Sequence, residues 1–389
     1  MLNIRKIKTI NIFYIFLFLY LIAISAYQLG TGFDAIFVRT TFVLLVAITI
    51  ILGKKIVITK QIKWCVVFWG FYFLSVIWAK NPNDTMYYVN NFIQILGIFI
   101  CFPIMIKDEK SINTTLKLII GSLLYTCVLL VIRTPQSEWG TERIGEAIGL
   151  NPNGLGMRLA IGFIACIYFL HYKTSNDTNQ RSKMALIFYS ISAIIFIVVA
   201  MFTGSKKALL IIILGFVSYE LIISKGWKIF LKSLIIVVFL CFMTYLIFNN
   251  EMLYTVIGRR IEKTILTLQG TTISRDVDGS LEERAFFIEK AIDLFKDYPI
   301  LGYGGNNFVT YMREISYSHI AYSHNNYVEL LSTLGIIGFT IYYYMWGKTL
   351  ITLSIDYLRN KSGQTLFFLI TIFILLILDY ANVSYISEF

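Results

Sequence analysis

Stretches of about twenty apolar residues recur from one end of the chain to the other. MALIFYSISAIIFIVVAMF, residues 184–202, is one of them and holds no charged side chain. A helix of that length rises about 30 Å, the thickness of a bilayer's hydrocarbon core. In lipid, every backbone N–H and C=O must find its partner within the protein, which leaves only helices and closed barrels. Barrel strands run about ten residues and alternate in polarity, whereas these stretches are longer and continuous. The chain is therefore expected to be all-α, a polytopic membrane protein forming one integral membrane domain over residues 1–389. Composition agrees. Hydrophobic residues make up 57% and charged residues 15%, against about 45–50% and about 25% in soluble domains.

The pattern predicts about eleven transmembrane helices. They fall at 11–29, 35–52, 63–79, 87–106, 114–132, 152–171, 184–202, 206–223, 228–248, 324–347 and 365–384. The apolar run after the basic start MLNIRKIK is long for a cleaved signal peptide, so it reads as a retained first span. The net charge of +11 has a topological reading rather than a nucleic-acid one, because most cations sit in short connecting loops. Arg5, Lys6 and Lys8; Lys54, Lys55, Lys60 and Lys63; Lys107, Lys110 and Lys117; Lys173, Arg181 and Lys183; Lys225 and Lys228; Lys348, Arg359 and Lys361 all fall on one side. That side is expected to be cytoplasmic, with the N-terminus inside and the C-terminus outside. The five cysteines lie within expected spans, and none belongs to a CxxC pair. They read as small packing residues.

Residues 249–323 form the one extended polar stretch, expected outside the membrane. A structureless loop of that length would be unusual. Within it, GSLEERAFFIEKAIDLFKDYPILGYGG carries Ser280 and Glu283 at capping-box spacing. Apolar residues at 285, 288, 292 and 295 make a helical stripe, and Pro299 with the glycines at 302, 304 and 305 ends it. An amphipathic helix lying on the outer membrane surface fits.

Several cations depart from the inside bias. Arg143 lies in the outer loop 133–151, Lys206 and Lys207 at the outer end of the eighth span, and Arg284 on the surface helix. Arg39 and Arg158 lie close to the same boundary. Each alone is accounted for by snorkelling to lipid headgroups. Together they outnumber nearby acids, and cations at one depth suit a phosphate-bearing ligand. NPNGLG, 151–156, adds Asn153 and backbone amides at a helix N-terminus. On the same expected side, SHNNYVELLSTLGIIGF (323–339) opens with His324, one of three histidines, followed by Asn325 and Glu329. His324 reads either as an interfacial helix cap or as a general base, since a neutral imidazole accepts a proton near neutral pH. His319, five residues earlier, is not on the same helical face, and no cluster of acids or cysteines completes a metal site. Ser323, adjacent to the histidine, is not placed as a nucleophile.

ERAFFIEKAIDLFKDYPILGYGGNNF followed by SHNNYVELLSTLGIIGF resembles the C-terminal signature of the bacterial O-antigen ligase and polymerase superfamily. Arg284, Pro299, Gly302, Gly304, Asn307, Phe308, His324, Asn325, Gly335 and Gly338 carry the likeness. RIGEAIGLNPNGLG (143–156) and TGSKKALL (203–210) are similar to two upstream motifs, with Lys206 where the family usually has arginine. The motifs span residues 140–345, the expected catalytic region.

The resemblance implies a GT-C-like helical glycosyltransferase on the outer face of the bacterial cytoplasmic membrane, acting without metal, nucleotide sugar or other cofactor. Its donor would be a glycan on undecaprenyl diphosphate and its acceptor a sugar hydroxyl. A chain-length regulator and a flippase are the implied partner proteins, beside membrane lipids. On this reading Arg143, Lys206 and Arg284 bind the diphosphate, and His324 and Arg284 are catalytic, with His324 as the base of an inverting transfer. Asn153 and Asn325 orient sugar or phosphate, and Glu329 orients the imidazole. The short chain and modest loop favour a polymerase of O-antigen or capsular repeats over a ligase acting on lipid A-core. The alternative of another class is a transporter of lipid-linked sugars, whose ionisable residues should lie near the midplane. Asp379 and Glu220 lie inside spans and have no role on this reading.

Overall fold

The computed structural model describes residues 2–27, 33–53, 55–146, 149–171, 182–269, 279–317 and 322–386. Lys54, Lys173, Arg181 and His319 lie outside the described residues, as do the side chains of Arg5, Lys6, Lys8 and Ser280. Among the described residues every regular element is helical, and one isolated bridge joins Trp139 and Glu142.

Seven described helices are long and apolar enough to cross a membrane: Phe33–Leu52, Pro82–Met105, Glu109–Arg133, Pro152–His171, Lys183–Phe202, Trp227–Asn249 and Asn326–Asn360. Asn11–Ala26 and Gly363–Leu378 are shorter apolar helices. The expected spans at 63–79 and 206–223 fall on Lys60–Leu74 and Lys206–Ile223, which stand outside that set. The second carries Lys206, Lys207 and Glu220 within 18 residues. Local chemistry sets the helix ends. Asp108 and Ser111 close a capping box before Glu109–Arg133, which satisfies two donors that a helix start leaves open.

The chain divides into two compact units. The first comprises Met1–Leu52, Met105–Val277 and Leu353–Ile374. The Pro152–His171 helix is buried along most of its length and packs on Lys183–Phe202 and Lys206–Ile223. Glu220 is buried here, paired with Lys232 and, at 3.1 Å, with His171 Nε2. A buried carboxylate needs such partners, because an unpaired one costs several kcal/mol (about that order). A second cluster joins Met201, Leu209, Met243, Ile247, Leu253 and Ile257.

The second unit comprises Gly53–Ile104, Asp278–Thr352 and Leu375–Phe389. Its long helix, Asn326–Asn360, is broken at Gly335, which adopts φ +63° and ψ −171°. The break frees carbonyls, and the glycine turn supplies donors for them. Tyr303 and Gly304 donate their N–H to Ser332 O and Thr333 O at 2.9 Å each, and Ile336 N–H reaches Pro299 O at 2.9 Å. Irregular backbone within an apolar helix persists only when protein re-satisfies it in this way. A Cβ at position 335 would run into the Ile300 backbone.

The same turn is tied to residues 75–85. Gly305 N–H donates to Ser75 Oγ at 2.8 Å, Asn81 N–H to Asn307 Oδ1 at 2.6 Å, and Asn307 Nδ2 to Thr85 Oγ1 at 2.9 Å. Two stretches expected on the outer side, AKNPNDT and the glycine turn, thus lie against each other.

The expected loop 249–323 is folded where it is described. It contains Glu251–Leu253, the π-turn Tyr254–Gly258, Arg259–Leu268, Gly279–Asp297 and Phe308–Glu314. The Gly279–Asp297 helix begins at Gly279, so Ser280 stands inside its first turn rather than before it. Its buried stripe is Phe287, Ala291 and Leu294, packed on Tyr303, Phe308 and Met312. The expected stripe differs: Ala285 and Ile292 are exposed, and Ile288 and Phe295 half-buried. The helix has two adjacent apolar stripes, and packing against the glycine turn selects the one with the larger buried ring, Phe287.

Asp379 has a structural account. Its carboxylate accepts from Ser384 Oγ at 2.6 Å and from the Tyr343 hydroxyl at 2.9 Å. Asn326 joins the knot. Its N–H reaches Asp379 O at 2.7 Å, and its Oδ1 receives the Ser384 and Tyr385 N–H groups at 2.9 and 3.1 Å. The first residue of the long helix is thereby pinned to the segment after Leu378.

Candidate functional site

Each unit carries one group of the candidate residues. In the first unit the chain reverses at Thr203–Gly204–Ser205, between Lys183–Phe202 and Lys206–Ile223. Gly204 takes φ +60°, and a Cβ there would stand 2.9 Å from Val256 O and 3.2 Å from Arg143 Cγ. Ser205 caps the following helix by accepting from Ala208 N–H at 3.3 Å. The carbonyls of this turn collect cations. Arg143 Nε donates to Thr203 O at 2.8 Å, and its Nη2 donates to Asn153 Oδ1 at 2.8 Å. Arg260 Nη1 donates to Gly204 O at 2.8 Å. Lys206 Nζ donates to Thr264 Oγ1 at 2.7 Å, one turn beyond Arg260.

The structure therefore brings Arg143, Asn153 and Lys206 together and adds Arg260. Burial, and then the like charge of Arg260, push the Arg143 guanidinium below the ordinary arginine range to about 10, with Glu146 opposing. Arg143 remains charged at neutral pH. Asn153 supports Arg143 directly, and that contact explains an asparagine at the start of the Pro152–His171 helix. Of the other cations singled out from sequence, Arg39 is exposed, and Arg158 and Lys207 are half-buried.

In the second unit His324 sits between two buried residues, Ser323 and Asn325, and takes φ +56°. Left-handed backbone at a non-glycine costs about 1–2 kcal/mol, so its neighbours must hold it. They do. Glu329 is 1% exposed, and its carboxylate accepts the Ser323 N–H at 2.7 Å. Ser323 Oγ donates to Asn325 O at 2.8 Å. Asn325 Oδ1 accepts from Tyr327 N–H at 2.9 Å and so caps the long helix. Asn325 and Glu329 thus fix the backbone on both sides of the histidine.

The imidazole lies against two aromatic rings, Tyr322 at 4.0 Å between centroids and Phe287 at 6.1 Å. Phe287 follows Arg284 by three residues, which places both on one face of the Gly279–Asp297 helix. Burial pushes the Tyr322 phenol up, and the positive charge of Arg284 opposes that shift. His324, Tyr322 and Arg284 therefore share one neighbourhood. Arg284 is half-buried, and among the described residues no carboxylate pairs with it.

Sequence reasoning missed Arg260. Its signal was RRIEKTILTL, where Ile261 and Ile265 recur at helical spacing beside two arginines. Among the described residues no group of three or more histidines, cysteines and acids is placed to hold a metal.

A half-buried guanidinium and a ring-packed imidazole in one neighbourhood can do two things: hold an anion and take a proton. The cationic turn of the first unit can do the former. A comparison with curated proteins gives no match. The described helices and a match to a membrane-enzyme family together support a multi-pass membrane protein. Residues 191–343, which include the turn, the Arg284 helix and His324, match the family model described as O-Antigen ligase.

Proposed function

We propose that the protein is a membrane glycosyltransferase that polymerises oligosaccharide repeats carried on undecaprenyl diphosphate, acting on the outer face of the bacterial cytoplasmic membrane. The observation that carries this reading is the His324 neighbourhood: an imidazole on locked backbone, packed on Tyr322 and on Phe287, which follows by one helical turn an arginine with no acid partner among the described residues. The family match supports the coarser statement, a membrane enzyme of O-antigen assembly.

His324 takes the proton from an acceptor sugar hydroxyl. The oxygen attacks the anomeric carbon from the face opposite the diphosphate, and that carbon inverts. The glycosidic C–O bond breaks, and its electron pair leaves on the diphosphate. Positive groups facing the growing charge stabilise the transition state. Arg284 has that task in the second unit, and Arg143 and Lys206 are proposed as anion-binding residues of the first. Diphosphate is already a good leaving group, so the mechanism calls for no metal. Asn153 and Glu329 act through the groups they hold, Arg143 and the Ser323 backbone. Asn325 holds the helix start and orients substrate.

A second reading has a specific support: the matched model is described as a ligase. The acceptor would then be lipid A-core sugar, with the same proton transfer. Complementation separates the two. His324→Ala and Arg284→Ala are expected to abolish long-chain polysaccharide while the protein still reaches the membrane. Single repeats on the final acceptor indicate a lost polymerase, and polymer accumulating on undecaprenyl diphosphate indicates a lost ligase. Normal polysaccharide with His324→Ala overturns the enzymatic reading.

A further inference from the structure

The sequence predicts that the Gly279–Asp297 helix rests on the outer membrane surface through an apolar stripe. Much of its apolar surface is instead taken up by protein, with Phe287, Ala291 and Leu294 packed on Tyr303, Phe308 and Met312. The turn that follows the helix is left exposed. Tyr298, Ile300 and Leu301 are 47%, 61% and 42% exposed, and with Pro299 and Gly302 they line one shallow groove. No charged residue falls between Asp297 and Arg313. An exposed turn in water leaves its carbonyls to water. Here four successive carbonyls have donors within the protein. Tyr298 O accepts from Gly302 N–H at 3.1 Å, Pro299 O from Ile336 N–H at 2.9 Å and Ile300 O from Ile337 N–H at 3.4 Å. Leu301 O accepts from Trp78 Nε1 at 3.3 Å. Apolar side chains outside and satisfied carbonyls inside are what hydrocarbon demands of irregular backbone.

Depth agrees. Lys60–Leu74 is too short to cross a bilayer alone, and the 3-10 turn Ser75–Ile77 extends it. Laid end to end they rise about 28 Å, close to the hydrocarbon thickness. Lys60 and Lys63 mark the expected cytoplasmic end, so Trp78, which holds Leu301, reaches the outer boundary, where Trp and Tyr concentrate. Leu74 and Ile77, three residues apart, are exposed at 56% and 80% and carry the apolar face of the helix up to the turn. We propose that the Tyr298–Leu301 turn is a membrane wedge: Ile300 and Leu301, with Ile77, sit among the acyl chains of the outer leaflet, and Tyr298 and Trp78 at the headgroup boundary. The wedge fastens the helix that bears Arg284 to the bilayer surface. This placement holds whichever reaction the protein catalyses.

The test is spin-label accessibility on the full-length protein in phosphatidylcholine vesicles. Cys241→Ser is the background, because Cys241 is exposed and the other four cysteines are buried. Nitroxide is attached at Ile300→Cys, Leu301→Cys or Ile77→Cys, with Glu289→Cys, whose carboxylate is exposed, as the aqueous control. Oxygen concentrates in hydrocarbon, and a polar nickel chelate is excluded from it. At 300, 301 and 77 oxygen is expected to relax the label more than the chelate does, and at 289 the order should invert. Chelate ahead of oxygen at 300 and 301 overturns the wedge. Dipolar broadening between labels overturns it by placing a second copy on the turn. An immobilised label reached by neither reagent overturns it too, since protein then covers the turn. If the turn variants fail to accumulate, a chelate-accessible label at 77 overturns the placement. Glycan transfer by the unlabelled protein is read separately. Lipid-exposed labels without transfer leave the wedge standing and end the enzymatic reading; His324-dependent transfer with aqueous labels does the reverse.

Discussion

At the scale of single residues, His324 is held in a conformation that few side chains accept, and asparagine is one of them. His324→Asn therefore removes the proposed base while leaving the φ of +56° tolerable. The transfer rate is expected to drop by about 10²–10⁴ with little change in membrane level or melting temperature. The proposed base role requires neutral imidazole, so the wild-type rate should decline toward acid pH. In His324→Asn the residual rate should lose that acid limb. Initial rates across pH on purified protein check both. The shared neighbourhood of His324 and Arg284 was suggested by the sequence, because a rare histidine and an arginine on an amphipathic stretch stand out among apolar runs. Glu329 was legible as a neighbour but not in its contact. Five residues exclude a shared helical face, yet the turn at 323–325 brings the Ser323 N–H back to its carboxylate. Arg260 was hidden because nothing in the sequence ties residue 260 to residue 204.

Among the elements, the interrupted Asn326–Asn360 helix carries the sharpest expectation. Gly335→Ala places a side chain at φ +63°, costing about 1–2 kcal/mol, and drives it into the Ile300 backbone. Loss of the turn's hydrogen bonds to Ser332 O and Thr333 O should follow. Reduced folded yield and a lower melting temperature in detergent are expected, while Gly347→Ala, with open space around it, should be near neutral. Most helices were legible because an apolar run of sufficient length has few alternatives in lipid. The break was not. Gly335 and Gly338 read alike as close-approach positions, and only the pairing of 299–304 with 332–336 distinguishes them. The Gly279–Asp297 helix shows the same limit. Its periodicity allowed either of two apolar stripes, and tertiary contact with Tyr303, Phe308 and Met312 decided.

For the molecule as a whole, the lysine and arginine bias is the basis of sidedness, and it is open to a simple test. Reporters fused within 249–323 should give periplasmic signal, and fusions after Lys107 or Lys348 cytoplasmic signal. A cytoplasmic signal from the 249–323 fusions would reverse the placement of His324 and end the case for chemistry on lipid-linked glycans outside. Division into two compact units was not legible, because apolar runs of equal character contribute to both. Nor was the use of Asp379, which ties the end of one apolar helix to the start of another.

The pairing between the glycine turn and the interrupted helix also imposes an order of assembly. Residues 299–304 are synthesised before 326–360, so the donors exist before the carbonyls they must meet. Until the later helix has formed, neither partner is satisfied. The helix is therefore made incomplete at its break, to be finished by a segment that precedes it in the chain.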